Sequence, residues 1–112
     1  MRYECIFAIL ARGEADRVMN AAKKAGAKGG TIFFARGTGS HEAKTFFGIT
    51  VETGREILMI LCEESETEAI LEAIVEAGRL KEPAAGIAFV VEVNRVVGLQ
   101  HRQGIEKANS DS

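Results

Sequence analysis

The run Gly37-Thr38-Gly39-Ser40 is the segment whose residue types are best suited to ligand chemistry. Glycines at this spacing let backbone N–H groups converge on one point, and such a nest can bind a phosphate or another anion. The same small, polar residues are also typical of a plain connection between two strands. Because no helical pattern follows the run directly, the residues alone leave both interpretations open.

Candidates for metal binding and catalysis are few along the rest of the chain. His41 with Glu42, and the distant His101, are a weak basis for a metal site because the two histidines are far apart in sequence. The glutamates between residues 63 and 68 fit the first turn of a helix, where the helix dipole favours carboxylates. The sequence contains no serine–histidine–aspartate arrangement, Walker loop or zinc-protease pattern. We therefore predict that the protein is not an enzyme.

Length, charge and cysteine usage are those of a small globular protein in a reducing compartment. The 112 residues are enough for one domain, and a formal net charge of −2 argues against binding to nucleic acid or to an anionic membrane. Cys5 and Cys62 lie inside apolar runs, so we expect buried thiols and neither a disulfide nor a zinc site. No apolar run approaches the ~18 residues of a membrane span, and residues 1–4 lead straight into a strand. We therefore expect a cytoplasmic protein.

Apolar periodicity predicts two similar halves, each in the order strand, helix, strand. Strands are predicted over residues 5–10, 31–35, 46–51, 57–62 and 87–91, with a short final strand over 96–99. The third and fourth of these strands are predicted to form a hairpin around Thr53-Gly54. Residues 37–45 are expected to be a mobile loop. Residues 103–112 are expected to be a disordered polar tail after one domain over residues 1–102.

Two amphipathic helices are predicted between the strands. The first covers residues 14–25 and ends at Gly26, and the second opens with a capping box from Ser65 to Glu68 and ends at Gly78. The residues predicted to face the core are Val18, Met19, Ala22 and Ala25 in the first helix and Ile70, Leu71, Ile74 and Ala77 in the second.

This order of elements predicts an α+β, ferredoxin-like fold, in which one antiparallel sheet carries two helices on one face. Successive side chains of a strand point to opposite faces, and the strands at 5–10 and 57–62 are apolar on both faces. Two helices can cover only one face. Leaving the other face in water would forgo about 1.5–3 kcal/mol for each large side chain. We therefore predict that further copies of the chain cover the second face.

The order and spacing of several motifs resemble the PII signal-transduction family over residues 1–102. Arg36-Gly37-Thr38-Gly39-Ser40 resembles the Gly-Phe-Gly-Arg motif at the base of that family's long T-loop. Residues 72–77 resemble its second helix, and Gly86-Ile87-Ala88-Phe89-Val90 resembles its Gly-Lys-Ile-Phe-Val strand. The resemblance implies a homotrimer of ferredoxin-like subunits that binds nucleotides and other small effectors in clefts between the subunits.

The resemblance also implies a set of ligand-binding residues. Thr31 matches the threonine that contacts adenine in the family, and Leu61 would lie near the same base. An adenine nucleotide (AMP, ADP or ATP) is therefore the expected ligand. The implied ligand-binding residues are Thr31, Gly37, Thr38, Gly39, Ser40, Leu61, Gly86 and Arg102.

The chain departs from the family at the residues that hold phosphates. The lysine that follows the B-loop glycine is replaced by Ile87, and two arginines from the neighbouring subunit are replaced by Gly98 and Gln100. Each lost charge-assisted contact removes about 1.5–3 kcal/mol of binding free energy. We therefore expect AMP or adenosine to rival ATP, unless a cation such as Arg79 or Arg102 replaces the missing ones.

Together these observations predict a regulatory binding protein. An effector in the intersubunit clefts would order the loop over 37–45 and change its contact with a target protein, in this family often a membrane transporter or a metabolic enzyme. A divalent-metal-binding trimer of the cation-tolerance type is an alternative, with only His41 and Glu42 as ligands in the loop. A small catalytic trimer such as an isomerase is a third possibility, but it needs a cleft residue with a shifted pKa, and the sequence nominates none.

Overall fold

The structure is a computed structural model, and it describes residues 2–35, 45–46, 49–50, 55–83 and 85–99. Its elements are β1 (Tyr3–Leu10), α1 (Ala15–Lys24), β2 (Thr31–Ala35), β3 (Thr45–Phe46), β4 (Ile49–Thr50), β5 (Arg55–Glu63), α2 (Glu64–Ala77) and β6 (Ile87–Val93).

Four strands form the main sheet, in the order β2-β5-β1-β6. Every neighbouring pair in this sheet is antiparallel. β1, the first strand of the chain, therefore lies between β5 and β6, as the predicted ferredoxin-like arrangement requires. The predicted fold class is confirmed, and β2 has the same bounds as its predicted strand.

The core lies between one face of the sheet and the two helices. In β5 buried and half-buried residues alternate along the whole strand, as expected where helices cover one face only. The fully buried core side chains come from β1, β5, α1 and α2 together and include Ile6, Leu10, Val18, Leu58, Ile60, Ile70 and Ile74. The two helices therefore share one face of the sheet, which we call the helix face; the opposite face is the open face.

Gly26 ends α1, as predicted. It adopts φ +123°, a left-handed conformation that glycine tolerates best. The Gly26 N–H donates to the carbonyl of Lys23, and the Ala27 N–H donates to the carbonyl of Ala22 at 3.0 Å. This pair of hydrogen bonds is the Schellman motif, which satisfies carbonyls that the end of a helix leaves free.

The predicted capping box at Ser65 and Glu68 is wrong. α2 begins at Glu64, and the backbone N–H of Glu63 donates to the carboxylate of Glu66 at 3.3 Å. The box lies two residues earlier because β5 continues to Glu63 in extended conformation and leads directly into the helix.

α2 ends where it was predicted to end, with Gly78 as its C-cap residue, but the left-handed residue that follows is not a glycine. Gly78 is the last residue in helical conformation, but Arg79 takes the left-handed conformation, with φ +52°. The Leu80 N–H then donates to the carbonyl of Val75 at 3.0 Å, which completes a Schellman motif around a residue other than glycine.

The structure corrects one predicted strand pairing and one predicted strand. The hairpin of residues 46–51 with 57–62 is wrong, because β4 pairs with β3, while β2 and β1 occupy the two edges of β5. The short strand over 96–99 is wrong as well. Gly98 has φ +94°, which is incompatible with an extended strand, and β6 ends at Val93.

Candidate functional site

The residues predicted to bind a ligand divide into two groups. Thr31, Leu61 and Gly86 lie within the described part of the chain. Outside the described residues lie Gly37, Thr38, Gly39, Ser40 and Arg102, together with the metal candidates His41, Glu42 and His101.

Thr31 and Leu61 lie close together on the open face. Thr31 of β2 is opposite Met59 of β5 in the antiparallel register, and Leu61 is the next residue along β5 that points to the same face. Such diagonal neighbours are about 7–8 Å apart, within reach of one planar ligand. Thr31 is exposed and Leu61 is half-buried. The structure therefore brings together the two residues proposed to contact an adenine base.

Gly86 occupies a position that only glycine fits. Its φ is +152°, and a Cβ atom there would lie 2.3 Å from the carbonyl oxygen of Ile9. This close approach brings the start of β6 against the end of β1, where Ile87 is opposite Ile9. Gly86 is therefore a structural requirement of the fold, whether or not its backbone also contacts a ligand.

A single chain keeps Gly86 apart from Thr31. Gly86 precedes β6 and Thr31 begins β2, and these strands lie at opposite edges of the sheet. Three interstrand spacings give a separation of about 14 Å across the sheet alone. Within one chain, Gly86 and Thr31 therefore lie too far apart to contact the same small group of a ligand.

The positions of the missing phosphate-binding cations can be compared with two cations nearby. Ile87 is half-buried in β6, and Gly98 is exposed, with no atom within 4 Å of the place that a Cβ would take. Arg79 and Lys81 are exposed and flank Leu80. The Leu80 Cδ2 would lie 3.1 Å from a Cβ on Gly86, which places the backbone of both cations beside the Gly86 turn. Among the cations of the described residues, Arg79 and Lys81 are therefore two whose backbone lies near Gly86.

Glu56 is a buried carboxylate that the sequence analysis missed. It is 9% exposed, lies on the helix face of β5, and accepts a hydrogen bond from the Ala15 N–H at 2.8 Å. The acceptor therefore satisfies one of the free N–H groups at the start of α1. A signal was present in the sequence, because Glu56 interrupts the apolar positions that β5 turns toward the core.

The open face carries an apolar surface centred on β1. The rings of Phe7 and Phe89 stack with centroids 5.4 Å apart and 16° between their planes. Met59 lies opposite Phe7 on the other side, from β5. Phe33 and Val91 continue the surface on the two edge strands, and both are exposed. The prediction that the strands are apolar on both faces is confirmed.

The cysteines do not form a reactive pair. Burial raises the pKa of both Cys5 and Cys62, so neither thiol is activated at neutral pH. Both are free. Within the described ranges, no cluster of three or more histidine, cysteine, aspartate or glutamate residues could hold a metal ion. In that same part of the chain, no helix is long and apolar enough to cross a membrane.

Comparisons with known proteins agree with the arrangement of these elements. The fold is similar to the crystal structure of Arabidopsis thaliana PII bound to citrate, with a TM-score of 0.66 and 21% sequence identity, over 88% of this chain and 81% of that chain. A comparison with curated proteins finds no match. The family model of nitrogen regulatory protein P-II matches residues 3–103. The resemblance predicted from the motifs is therefore confirmed, and the chain belongs to the nitrogen regulatory protein P-II family.

Proposed function

We propose that the chain is a regulatory subunit that forms a homotrimer through the open face and binds a small anionic effector between copies. The observation that carries this proposal is the separation of Thr31 from Gly86 across a sheet whose uncovered face is apolar. Membership of the P-II family supports a regulatory protein and not an enzyme. The effector would order the loop over 37–45 and so control a target protein in the cytoplasm, such as a membrane transporter or a metabolic enzyme.

The apolar open face supports the trimer. Phe7 and Phe89 stack there, and Met59 and Val91 extend the surface to either side. Burying each large side chain of this kind is worth about 1.5–3 kcal/mol. A trimer with the open faces turned toward a common axis covers all of them at once.

The effector site would combine the base-contacting pair with anion-binding groups. Thr31 and Leu61 come from one copy, and the Gly86 turn with Arg79 and Lys81 comes from the next. The citrate bound to the Arabidopsis protein is an example of an anionic effector on this fold. Gly37, Thr38, Gly39, Ser40 and Arg102 complete the proposed site, with an adenine nucleotide as the first ligand to test.

The ligand is tested by titrating adenosine, AMP, ADP, ATP and citrate into the full-length protein by isothermal calorimetry. Since Ile87 and Gly98 replace family cations, we expect AMP to bind within about tenfold of ATP. Gly39→Val should abolish phosphate-dependent binding, while the matched Gly29→Val variant should leave it unchanged, because nothing lies within 4 Å of a Cβ at Gly29. Binding of none of the five compounds would contradict the effector proposal. A response to zinc or copper alone would favour the metal-binding alternative.

The trimer is tested by light scattering coupled to size exclusion. We expect a mass three times that of the 12.1 kDa chain. Met59→Lys places a charge in the middle of the open face and should yield folded monomers. Ala69→Lys, on the exposed side of α2, should remain trimeric. A wild-type monomer would contradict the proposal.

A further inference from the structure

α1 and α2 lie side by side on the helix face of the sheet, and the sides that they turn away from the sheet are exposed. We call this exposed side the outer helix surface. It lies on the opposite side of the chain from the open face, so it stays accessible when the open face is covered. Its exposed residues are Arg17, Lys24, Glu68, Ala69, Glu72 and Glu76.

The two helices carry opposite charges. In α1 the cations Arg17, Lys23 and Lys24 outnumber the one acid, Asp16. α2 contains glutamates throughout its length and neither lysine nor arginine. In the part of the chain that the structure describes, no ion pair involves Lys24 or the glutamates at positions 68, 72 and 76. The outer helix surface therefore has a basic strip along α1 beside an acidic strip along α2.

The helices run antiparallel, and this direction determines the order of the charges along the surface. Near the start of α1, the Arg17 guanidinium donates a hydrogen bond to the carbonyl of Ala77, the last residue of α2. Beyond the other end of α1, Lys28 forms an ion pair at 3.5 Å with Glu66 in the first turn of α2. The start of each helix therefore lies beside the end of the other.

Lys24 and Glu68 lie at similar heights along their helices. At about 1.5 Å per residue, Lys24 is about 11 Å along α1 from Arg17, and Glu68 is about 14 Å back along α2 from Ala77. The difference in height is about 3 Å, which a flexible lysine side chain can span. A second copy that keeps these heights can therefore offer a carboxylate to Lys24.

We propose that the outer helix surface binds the same surface of a second copy, through a two-fold axis parallel to the helices. This rotation keeps heights along the helices and exchanges their sides, so α1 of each copy faces α2 of the other. Lys24 then lies opposite Glu68 of the other copy, and two-fold symmetry forms the pair twice. A two-fold axis across the helices would instead place α1 against α1, where the cations repel. The charges therefore favour the first arrangement.

A second copy fits this surface better than a partner of one charge sign. A polyanion such as nucleic acid would be attracted to α1 but repelled by the glutamates of α2, and a basic peptide would meet the reverse. A second copy presents both signs in the complementary order. The small side chain of Ala69 also lets the two helix layers approach closely. The surface is therefore self-complementary in charge and in shape.

The size of the surface predicts a weak association. α2 has 14 residues and is about 21 Å long, and two helices side by side are about 20 Å wide. Two such surfaces in contact bury on the order of 800 Å² in total, which is below the 1,200–2,000 Å² of stable interfaces. We therefore expect the contact at about millimolar concentration and low ionic strength. It does not rest on the proposed trimer, because it uses the other side of the chain.

Sedimentation equilibrium of the full-length protein tests the contact. At about 10 mM ionic strength, we expect the weight-average mass at about 1 mM chain to exceed the mass at about 10 μM at least 1.5-fold. Near 1 M NaCl this rise should disappear, because the Debye length falls to about 3 Å. Lys24→Glu and Glu68→Lys should each lower the association constant at least tenfold, since each places like charges opposite one another.

A charge swap separates this pairing from a general effect of net charge. The double variant Lys24→Glu with Glu68→Lys keeps the wild-type net charge and should associate within about threefold of wild type. Glu82→Lys makes the same change in net charge as Glu68→Lys, but outside the outer helix surface, and should also stay within about threefold. Ala69→Lys adds a long side chain in the contact and should lower the association without changing the dilute mass.

Two results would overturn the contact. One is a wild-type mass that does not rise with concentration, whether the dilute species is a trimer or a monomer; the dilute mass alone tests the proposed trimer. The other is a charge swap that associates as weakly as the single variants, provided that its circular dichroism and dilute mass match wild type. If the swap does not fold, association of Ala69→Lys equal to wild type contradicts the contact instead.

Discussion

The carboxylate of Glu56 accepts a hydrogen bond from the backbone N–H of Ala15 at 2.8 Å, across 41 residues of sequence. The contact joins the start of β5 to the first residue of α1. Glu14, which precedes the helix, makes no side-chain capping bond to it. One of the free N–H groups at the start of α1 is therefore hydrogen-bonded by a residue from a strand that is distant in sequence.

Removing this acceptor should destabilise the protein. We expect Glu56→Ala to lower the free energy of unfolding by about 1.5–3 kcal/mol, because it removes a buried charge-assisted hydrogen bond. Glu56→Gln should lower the free energy of unfolding by less, since its amide oxygen can still accept the hydrogen bond from Ala15. Urea denaturation measures both, with the exposed Glu82→Ala as the control, for which the change should stay within about 0.5 kcal/mol. Equal losses for Glu56→Ala and Glu82→Ala would contradict this role.

Gly86 should tolerate no larger residue. In Gly86→Ala the new Cβ would lie 2.3 Å from the Ile9 carbonyl oxygen. The left-handed backbone alone should cost about 1–3 kcal/mol, and relief of the clash should add to this loss. Gly29→Ala is the matched control, because it has no neighbour within 4 Å and no left-handed φ. It should stabilise the protein by about 0.4–1 kcal/mol by restricting the unfolded chain. Thermal unfolding that ranks the two variants alike would contradict the close approach.

The elements that follow from local patterns could be predicted from the sequence. The predicted bounds of β2 match the observed ones, and those of α1 agree within one residue at each end. The alternation of apolar residues in strands and their spacing in helices depend only on near neighbours in the sequence. These patterns therefore locate the elements and their buried faces. Gly26 could be predicted as the end of α1 for the same reason, since its left-handed turn is a local requirement.

Contacts between distant segments could not be predicted in this way. Ile49 belongs to an apolar run that could pair with several partners, and only the fold shows that both edges of β5 are already occupied. The cap that Glu56 provides for α1 is equally non-local. In the candidate site, the resemblance implied both Thr31 and Gly86, but their placement at opposite edges depends on strand order, which periodicity does not determine.

Arg79 holds a conformation that favours glycine. Its φ of +52° lies in the left-handed region at the end of α2. That region costs a residue with a Cβ about 1–2 kcal/mol. Arg79→Gly should therefore raise the free energy of unfolding, by up to about 1 kcal/mol after the entropy of glycine in the unfolded chain is included. Arg79→Val should lower it. If urea denaturation shows that Arg79→Gly is the less stable of the two, the left-handed turn is wrong.

The exposed side of α2 carries a glutamate at every fourth position, at Glu64, Glu68, Glu72 and Glu76. Only Glu64 has a described ion-pair partner, the guanidinium of Arg2 at 3.3 Å. Side chains four residues apart on a helix are neighbours, and like charges there are destabilising by about 0.2–0.5 kcal/mol for each pair. Glu72 takes part in two such pairs. Repulsion along this row of glutamates therefore makes α2 less stable than the helix propensities of its residues alone would predict.

Reversing the charge at Glu72 should relieve this repulsion. We expect Glu72→Lys to raise the free energy of unfolding by about 0.8–2 kcal/mol at low ionic strength, because two repulsive pairs become attractive. Glu72→Gln removes the repulsion without adding attraction and should gain about half as much. Urea denaturation at low salt and near 1 M NaCl separates charge from propensity, since the Debye length falls to about 3 Å at the higher concentration. Equal gains for both variants at both salt concentrations would mean that helix propensity, and not the row of like charges, sets the stability of this side of α2.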